Sequence, residues 1–220
     1  IPLNLLEGKI ASKMNIKWQL DKKTPQIQIE GDMNLTQMTA TYEDVLIEGL
    51  DLPLSFKTQY NQPIEASGSI RLKQLNPGIP VENITGTHSI SLSQDLTHLQ
   101  YNADNINMQV LGGSIEVPLV RYDNQREVQA VGIYIKDLLL NKLDLLKEKA
   151  GLNATGKLNG ALPIVISKQG ISIPAGTLKA LNPGGTISHD RNPTVQALSQ
   201  GGQQMKMIFD ILENFDYDIM

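Results

Sequence analysis

The residue types that most often carry out chemistry are sparse in this sequence. Its 220 residues include three histidines and no cysteine. His88, His98 and His189 lie far apart, and none has a partner at the short spacing that metal sites use. Without cysteine, the sequence excludes disulfides, thiolate nucleophiles and cysteine-ligated metals. We therefore expect neither a metal nor a cofactor.

Two local combinations contain catalytic residue types but do not predict an active site. Ser188, His189 and Asp190 are the types of a catalytic triad, yet side chains of adjacent residues diverge and cannot form the relay. Asp216 and Asp218 share one face of a predicted strand, where solvated carboxylates are the ordinary case. Neither GxxxxGK[ST] nor GxGxxG occurs. We predict that this protein is not an enzyme.

The charge pattern excludes two further classes of partner. The formal net charge is -4, and no block of Lys and Arg is present. Binding to nucleic acid needs clustered cations that replace phosphate counterions, and an anionic membrane surface attracts similar clusters. The sequence also lacks a run of about 18 apolar residues, so it predicts no transmembrane helix.

Alternation of apolar and polar residues dominates the chain and must set its architecture. In 26–35, Ile27, Ile29, Met33 and Leu35 alternate with polar residues, which gives a strand one dry face and one wet face. The pattern recurs at 14–20, 50–56, 64–72, 88–92, 115–119 and 156–166. One-sided alternation is typical of antiparallel sheets, because parallel sheets are usually buried on both faces.

Short turn signals separate these strands, so neighbouring strands should pair as a meander. Pro53, Pro118 and Pro163 each interrupt an apolar strand. A proline cannot donate a hydrogen bond to the sheet, so each should mark an edge or a bulge where the strand bends.

Two segments have helical spacing. Leucines at intervals of three predict a short helix over 140–150, and Met205, Ile208, Phe209 and Leu212 predict an amphipathic helix over about 203–213. We predict a β domain over 1–188. The rest, 189–220, is expected to hold a loop, that second helix and the start of a further strand, which fits a chain cut from a longer protein.

The second half of the chain resembles a known family. Residues 151–164 read GLNATGKLNGALPI, followed by GISI at 170–173, GTLKA at 176–180 and PGGTI at 183–187. With the leucines of 138–146, this text resembles the C-terminal part of the YdbH-like proteins. The resemblance covers about 111–220, and 1–110 agree in style only.

The resemblance implies both a fold and a role. YdbH-like proteins belong with the AsmA-like and TamB-like repeating β-groove proteins of Gram-negative bacteria. It implies a periplasmic protein, held in the inner membrane by an N-terminal helix that this chain lacks, whose groove carries phospholipid acyl chains toward the outer membrane. The implied partners are those acyl chains and an outer-membrane lipoprotein or other envelope protein. An older label, dicarboxylate transport, finds no support in these residues.

Two functions follow, and the geometry of the sheet would separate them. The first is a mainly β, curved antiparallel meander that forms a groove or taco-like open barrel with two short helices and shields lipid. Its predicted groove residues are Ile27, Ile29, Met33, Leu35, Leu52, Leu54, Ile115, Val117, Leu158, Leu162, Ile164 and Ile166. The alternative is a structural or adhesive β-sandwich, in which two sheets about 10 Å apart bury the same residues against each other.

Overall fold

A computed structural model describes residues 3–19, 26–43, 45–143, 152–167 and 170–189. Thirteen strands account for most of these residues. They are β1 (Leu3–Gln19), β2 (Gln26–Tyr42), β3 (Val45–Gln59), β4 (Ile64–Asn76), β5 (Val81–Leu92), β6 (Leu99–Val110), β7 (Gly113–Asp123), β8 (Val128–Leu139), β9 (Leu152–Ala154), β10 (Lys157–Ser167), β11 (Gly170–Ser172), β12 (Thr177–Ala180) and β13 (Ile187–His189).

Eleven of the strands form one open antiparallel sheet. The order from β1 to β8 follows the sequence, β10 then pairs with β8, and both β11 and β12 pair with β10. The sheet does not close, because β1 and β11 stand at opposite ends of the strand order. β9 and β13 form a separate two-stranded ribbon. The prediction of a mainly β antiparallel meander is confirmed.

The register places apolar residues opposite apolar residues from strand to strand. Between β2 and β3, Met33 lies opposite Leu54 and Leu35 opposite Leu52. Residues that face each other across an antiparallel pair lie on the same side of the sheet. The sheet therefore has one apolar face, on which these four residues lie, and one polar face on the opposite side.

Each of the three strand prolines lies where the pairing with a neighbouring strand is interrupted. Pro53 falls between the Asp51–Arg71 and Leu54–Gly68 pairs of β3 and β4. Pro118 follows Glu116, after which β7 no longer pairs with β8. Pro163 lies between the parts of β10 that pair with β12 and with β11. The missing N–H of proline thus coincides with a gap, as predicted.

A bulge of the same kind recurs in five strands of the sheet. In β2, β3, β5, β6 and β8 the apolar alternation contains one step of three residues instead of two. Such a step runs from one apolar residue to the next over four residues. The third of the four has a positive φ in each strand: Gln37 (51°), Gly49 (67°), Asn83 (52°), Asn105 (53°) and Asp137 (55°). A bulge bends a strand and increases its twist, and here it also returns the next apolar residue to the apolar face.

The two predicted helices are not found in the described residues. Where the 140–150 helix was expected, Leu140–Lys142 forms one 3₁₀ turn. Residues 144–151, like the predicted helix over 203–213 and all of 190–220, lie outside the described part, so the domain boundary at 188 stays a prediction. Among the described residues no helix is long and apolar enough to cross a membrane.

Candidate functional site

The apolar face is continuous from β3 to β10. Leu50 lies opposite Leu72, and Leu72 lies opposite Ile84. These facing residues form a row that runs across the strands. Beyond the bulge of β5, the row of facing apolar residues continues through β6, β7, β8 and β10. Its further pairs are Met108–Ile115, Ile115–Ile135 and Ile135–Gly160. One uninterrupted row of mostly aliphatic side chains therefore crosses the sheet perpendicular to the strands.

The residues predicted to line a groove all lie on this face. Val117, Leu158 and Leu162 are buried, and Ile27, near the start of β2, is 40% exposed. The remaining eight are partly buried: Ile29, Met33, Leu35, Leu52, Leu54, Ile115, Ile164 and Ile166. The structure thus brings the predicted residues together on one surface. Their contact with lipid stays a prediction.

Sequence reasoning missed the contributions of β6 and β8. Ala103, Ile106 and Met108 on β6, and Val131 and Ile133 on β8, extend the apolar face. In β6 the three-residue step breaks the alternation. In β8 the polar-face positions hold Ala130, Gly132 and Tyr134, which hide the contrast between the two faces.

The sequence does contain a signal for the strands that the two-residue alternation failed to predict. The three-residue steps read LTQM, IEGL, VENI, ADNI and IKDL, beginning at residues 35, 47, 81, 103 and 135. Each has apolar residues at its first and fourth positions, and four of the five have Gly, Asn or Asp at the third. Those three residue types accept the left-handed backbone most readily. The pattern marks a bulge that keeps its strand apolar on one side.

His88 is a buried polar residue within the apolar face. It lies opposite Gly68 on one side and Ala103 on the other, and its exposed fraction is 7%. Its ring stands 6.0 Å from the ring of Tyr101, measured between centroids, at 49°. The Nε2 atom has no hydrogen-bond partner among the described residues.

Burial acts on both members of this ring pair. It lowers the pKa of His88 below its usual value and raises the pKa of Tyr101. Both groups are therefore uncharged at neutral pH. The pair leaves the middle of the apolar face without charge.

Charged residues lie on the opposite face. Lys17 Nζ is 3.2 Å from Glu30 Oε1, and Lys57 Nζ is 3.0 Å from Glu65 Oε2. Both ion pairs join polar-face side chains of neighbouring strands. In the described part of the chain, no group of three or more His, Asp or Glu residues could hold a metal ion. The surface is thus suited to contact with apolar molecules.

Comparison with known proteins agrees with this surface. The family model described as "YdbH-like: Intermembrane phospholipid transport protein YdbH" matches residues 1–220. The chain belongs to the YdbH-like family. The match extends the resemblance read at 111–220 to residues 1–110, which the sequence patterns alone related only in style. No curated protein and no solved structure was found to match this YdbH-like chain.

Proposed function

We propose that this chain binds phospholipid acyl chains along the apolar face of its sheet and shields them from water during transport between two membranes. The observation that carries the proposal is the continuous apolar face. Among the described residues, the strands of the main sheet make their substantial contacts only with their neighbours in that sheet, and the β9–β13 ribbon makes its own with the 3₁₀ turn at Leu140–Lys142. The description of the YdbH-like family supports the same role.

The energetic argument needs no specific contact with the lipid. Each CH₂ group moved from water to an apolar surface gains about 0.8 kcal/mol. A face built from Leu, Ile, Val and Met provides such a surface at every position along the sheet. The polar headgroup can stay in solvent, which fits a surface whose charged ion pairs lie on the other side.

Curvature would turn this face into a groove. The five positive-φ bulges bend their strands, and the proline gaps relax the hydrogen bonding between strands. Leu72, Ile84 and Val117 are each less than 9% exposed, and such burial within one sheet is what curling toward the apolar side produces.

The length of the face suits an acyl chain. Ten strands lie on the path from β1 to β11. At 4.7–4.9 Å per strand spacing, they span about 43 Å. An acyl chain reaches across about half of a 30 Å hydrocarbon core, so a chain lying across the strands fits within the sheet.

The proposed location and partners follow from this role. A segment that carries lipid between two membranes works in the space between them, which we infer to be the periplasm. Its partners would be phospholipid acyl chains and an envelope protein, such as an outer-membrane lipoprotein, that receives or delivers the lipid. The proposed role involves no catalysis.

Lipid extraction and native mass spectrometry of the purified chain test the proposal. We expect co-purified phospholipid in the wild-type protein and its loss in Ile164→Asp, because a carboxylate on the apolar face is costly to bury beside an acyl chain. Ala161→Asp is the matched control: it adds the same charge to the exposed, polar side of the same strand.

The proposal fails if the wild-type chain carries no lipid and also rejects fluorescent fatty-acid probes. It also fails if Ala161→Asp removes lipid as completely as Ile164→Asp while both variants stay folded by circular dichroism. Equal loss would show that charge anywhere on the strand, and not contact with the apolar face, controls binding.

A further inference from the structure

Three polar residues are buried in the described part of the chain, and two of them have hydrogen-bond partners. The Thr39 hydroxyl donates to Glu7 Oε1 at 3.1 Å. The side-chain oxygen of Gln129 accepts a hydrogen bond from the backbone N–H of Asp123. His88 is the exception, because its Nε2 atom is enclosed and meets no donor or acceptor among the described residues. Buried polar atoms are usually paired, so this one requires an explanation.

The residues around His88 on the apolar face cannot supply the missing partner. Gly68 and Ala103 lie opposite it on the two neighbouring strands. Gly86 and Ile90, two residues away along β5, lie on the same face because strand side chains alternate. None of these four side chains has a hydrogen-bond donor or acceptor. A lipid bound on the apolar face is therefore a natural source of the partner.

The chemistry of the ring indicates which lipid atom fits. Burial lowers the pKa of His88, so the ring is uncharged at neutral pH and carries one N–H donor and one acceptor nitrogen. An uncharged donor in apolar surroundings suits an uncharged acceptor, since a buried charge without a counter-charge is costly. In a diacyl phospholipid, the uncharged acceptors next to the acyl chains are the ester carbonyl oxygens.

We propose that His88 donates a hydrogen bond from Nε2 to an ester carbonyl oxygen of the bound lipid and so fixes where the lipid lies on the sheet. This contact rests on the proposed function, because it lies within the same apolar face. A lipid reaches the enclosed Nε2 atom only if the ring turns or the side chains that cover it move. Gly68 and Gly86, beside the ring, carry no side chain that would oppose the turn.

The position of His88 within the sheet suits this role. β5 is the fifth of the ten strands on the path from β1 to β11. At about 4.8 Å per strand spacing, about 19 Å of sheet lie on one side of β5 and about 24 Å on the other. An acyl chain of about 15 Å, half of a 30 Å hydrocarbon core, fits on either side. An ester group held at His88 thus leaves room for its acyl chain across the strands.

A comparison of two phosphatidylcholines, one ester-linked and one ether-linked with chains of equal length, tests the contact. The ether lipid lacks both carbonyl oxygens and is otherwise the same. We expect the wild-type chain to bind the ester lipid about tenfold more tightly, measured by displacement of a fluorescent fatty acid, because the ether leaves Nε2 unpaired. The imidazole nitrogen resonances of His88 should shift on addition of the ester lipid and stay unchanged with the ether.

Three variants connect this preference to the Nε2 atom. His88→Leu should bind the two lipids equally, because it keeps an apolar side chain and removes the donor. His88→Gln should retain the preference, because its amide N–H₂ can donate in place of Nε2. His98→Leu is the control: the His98 ring pairs with Asp123 at 3.1 Å, and its loss should leave the preference unchanged.

The possible failures are distinguishable. Equal affinity of the wild-type chain for both lipids would overturn the contact alone, as would a preference that persists in His88→Leu. Tighter binding of palmitate than of the ester lipid would also overturn it, because the acceptor would then be a carboxylate. If the wild-type chain binds neither lipid and no acyl probe, the proposed function fails and the contact with it. The wild-type comparison needs no substitution, so it decides the matter even if His88→Leu does not fold.

Discussion

Leu158 on β10 and Leu5 on β1 carry the same side chain on the same face of the sheet, with very different burial. Leu158 is 3% exposed, whereas Leu5 is 57% exposed. Substitution of either residue by alanine removes the same three carbon atoms. The pair therefore isolates the effect of burial on the free energy of unfolding.

The expected costs follow from these exposures. Three carbons at about 0.8 kcal/mol each give about 2.4 kcal/mol for complete burial. Leu158→Ala loses nearly all of this and leaves a cavity, which brings the expected cost to about 3 kcal/mol. Leu5→Ala loses less than half, about 1 kcal/mol, and leaves no enclosed cavity.

Urea unfolding of both variants, followed by far-ultraviolet circular dichroism, measures the two costs. The comparison requires that the slope of free energy against urea stays the same, so that the variants differ in stability alone. Costs that agree within 0.5 kcal/mol, or a larger cost for Leu5→Ala, would refute the difference in burial between these two leucines.

Three further predictions concern single positions in the sheet. Because burial lowers the pKa of His88 in the folded state, the unfolded state binds more protons, so the free energy of unfolding should fall as the pH drops below about 6.5. His88→Phe should flatten this fall in urea titrations at several pH values. An unchanged dependence of stability on pH in the variant would contradict the role given to His88. Gly68→Ala should strongly destabilise the chain, because an added Cβ would lie 1.8 Å from the Pro53 carbonyl oxygen. Gly132→Ala should not, because the nearest atom to its added Cβ is 3.9 Å away. Equal melting temperatures for the two variants would argue against the close approach of Gly68 to Pro53. Asn105 has a φ of 53°, so Asn105→Val should cost about 1–2 kcal/mol while Asn105→Gly stays near wild type; a tolerated valine in urea unfolding would mean that the bulge is not held in this form.

The alternation of apolar and polar residues predicted much of the sheet, and its failures have a physical cause. β2 and β4 were found because their polar faces hold clearly polar residues. β6 was missed because its bulge shifts the apolar positions by one, which a strict two-residue template reads as the end of a strand. The antiparallel arrangement and the prolines at pairing gaps follow from local rules.

The tertiary features lay beyond those local rules. The burial of His88 could not be predicted, since it depends on the small neighbours Gly68 and Ala103, which come from two other strands. At 140–142 the leucine spacing suggested a longer helix than the 3₁₀ turn that forms. A spacing of three suits either kind of turn, so the sequence pattern does not distinguish them.

In the main sheet, β1 to β7 each pair only with strands adjacent in sequence. A sheet of this kind is assembled from hairpins in series, much as a solenoid is assembled from repeats. Loss or duplication of one hairpin would change the distance spanned by about 9.5 Å and would leave every other pairing intact. The number of hairpins therefore sets the length of the apolar face, and the face can be lengthened or shortened without redesigning the strands that remain.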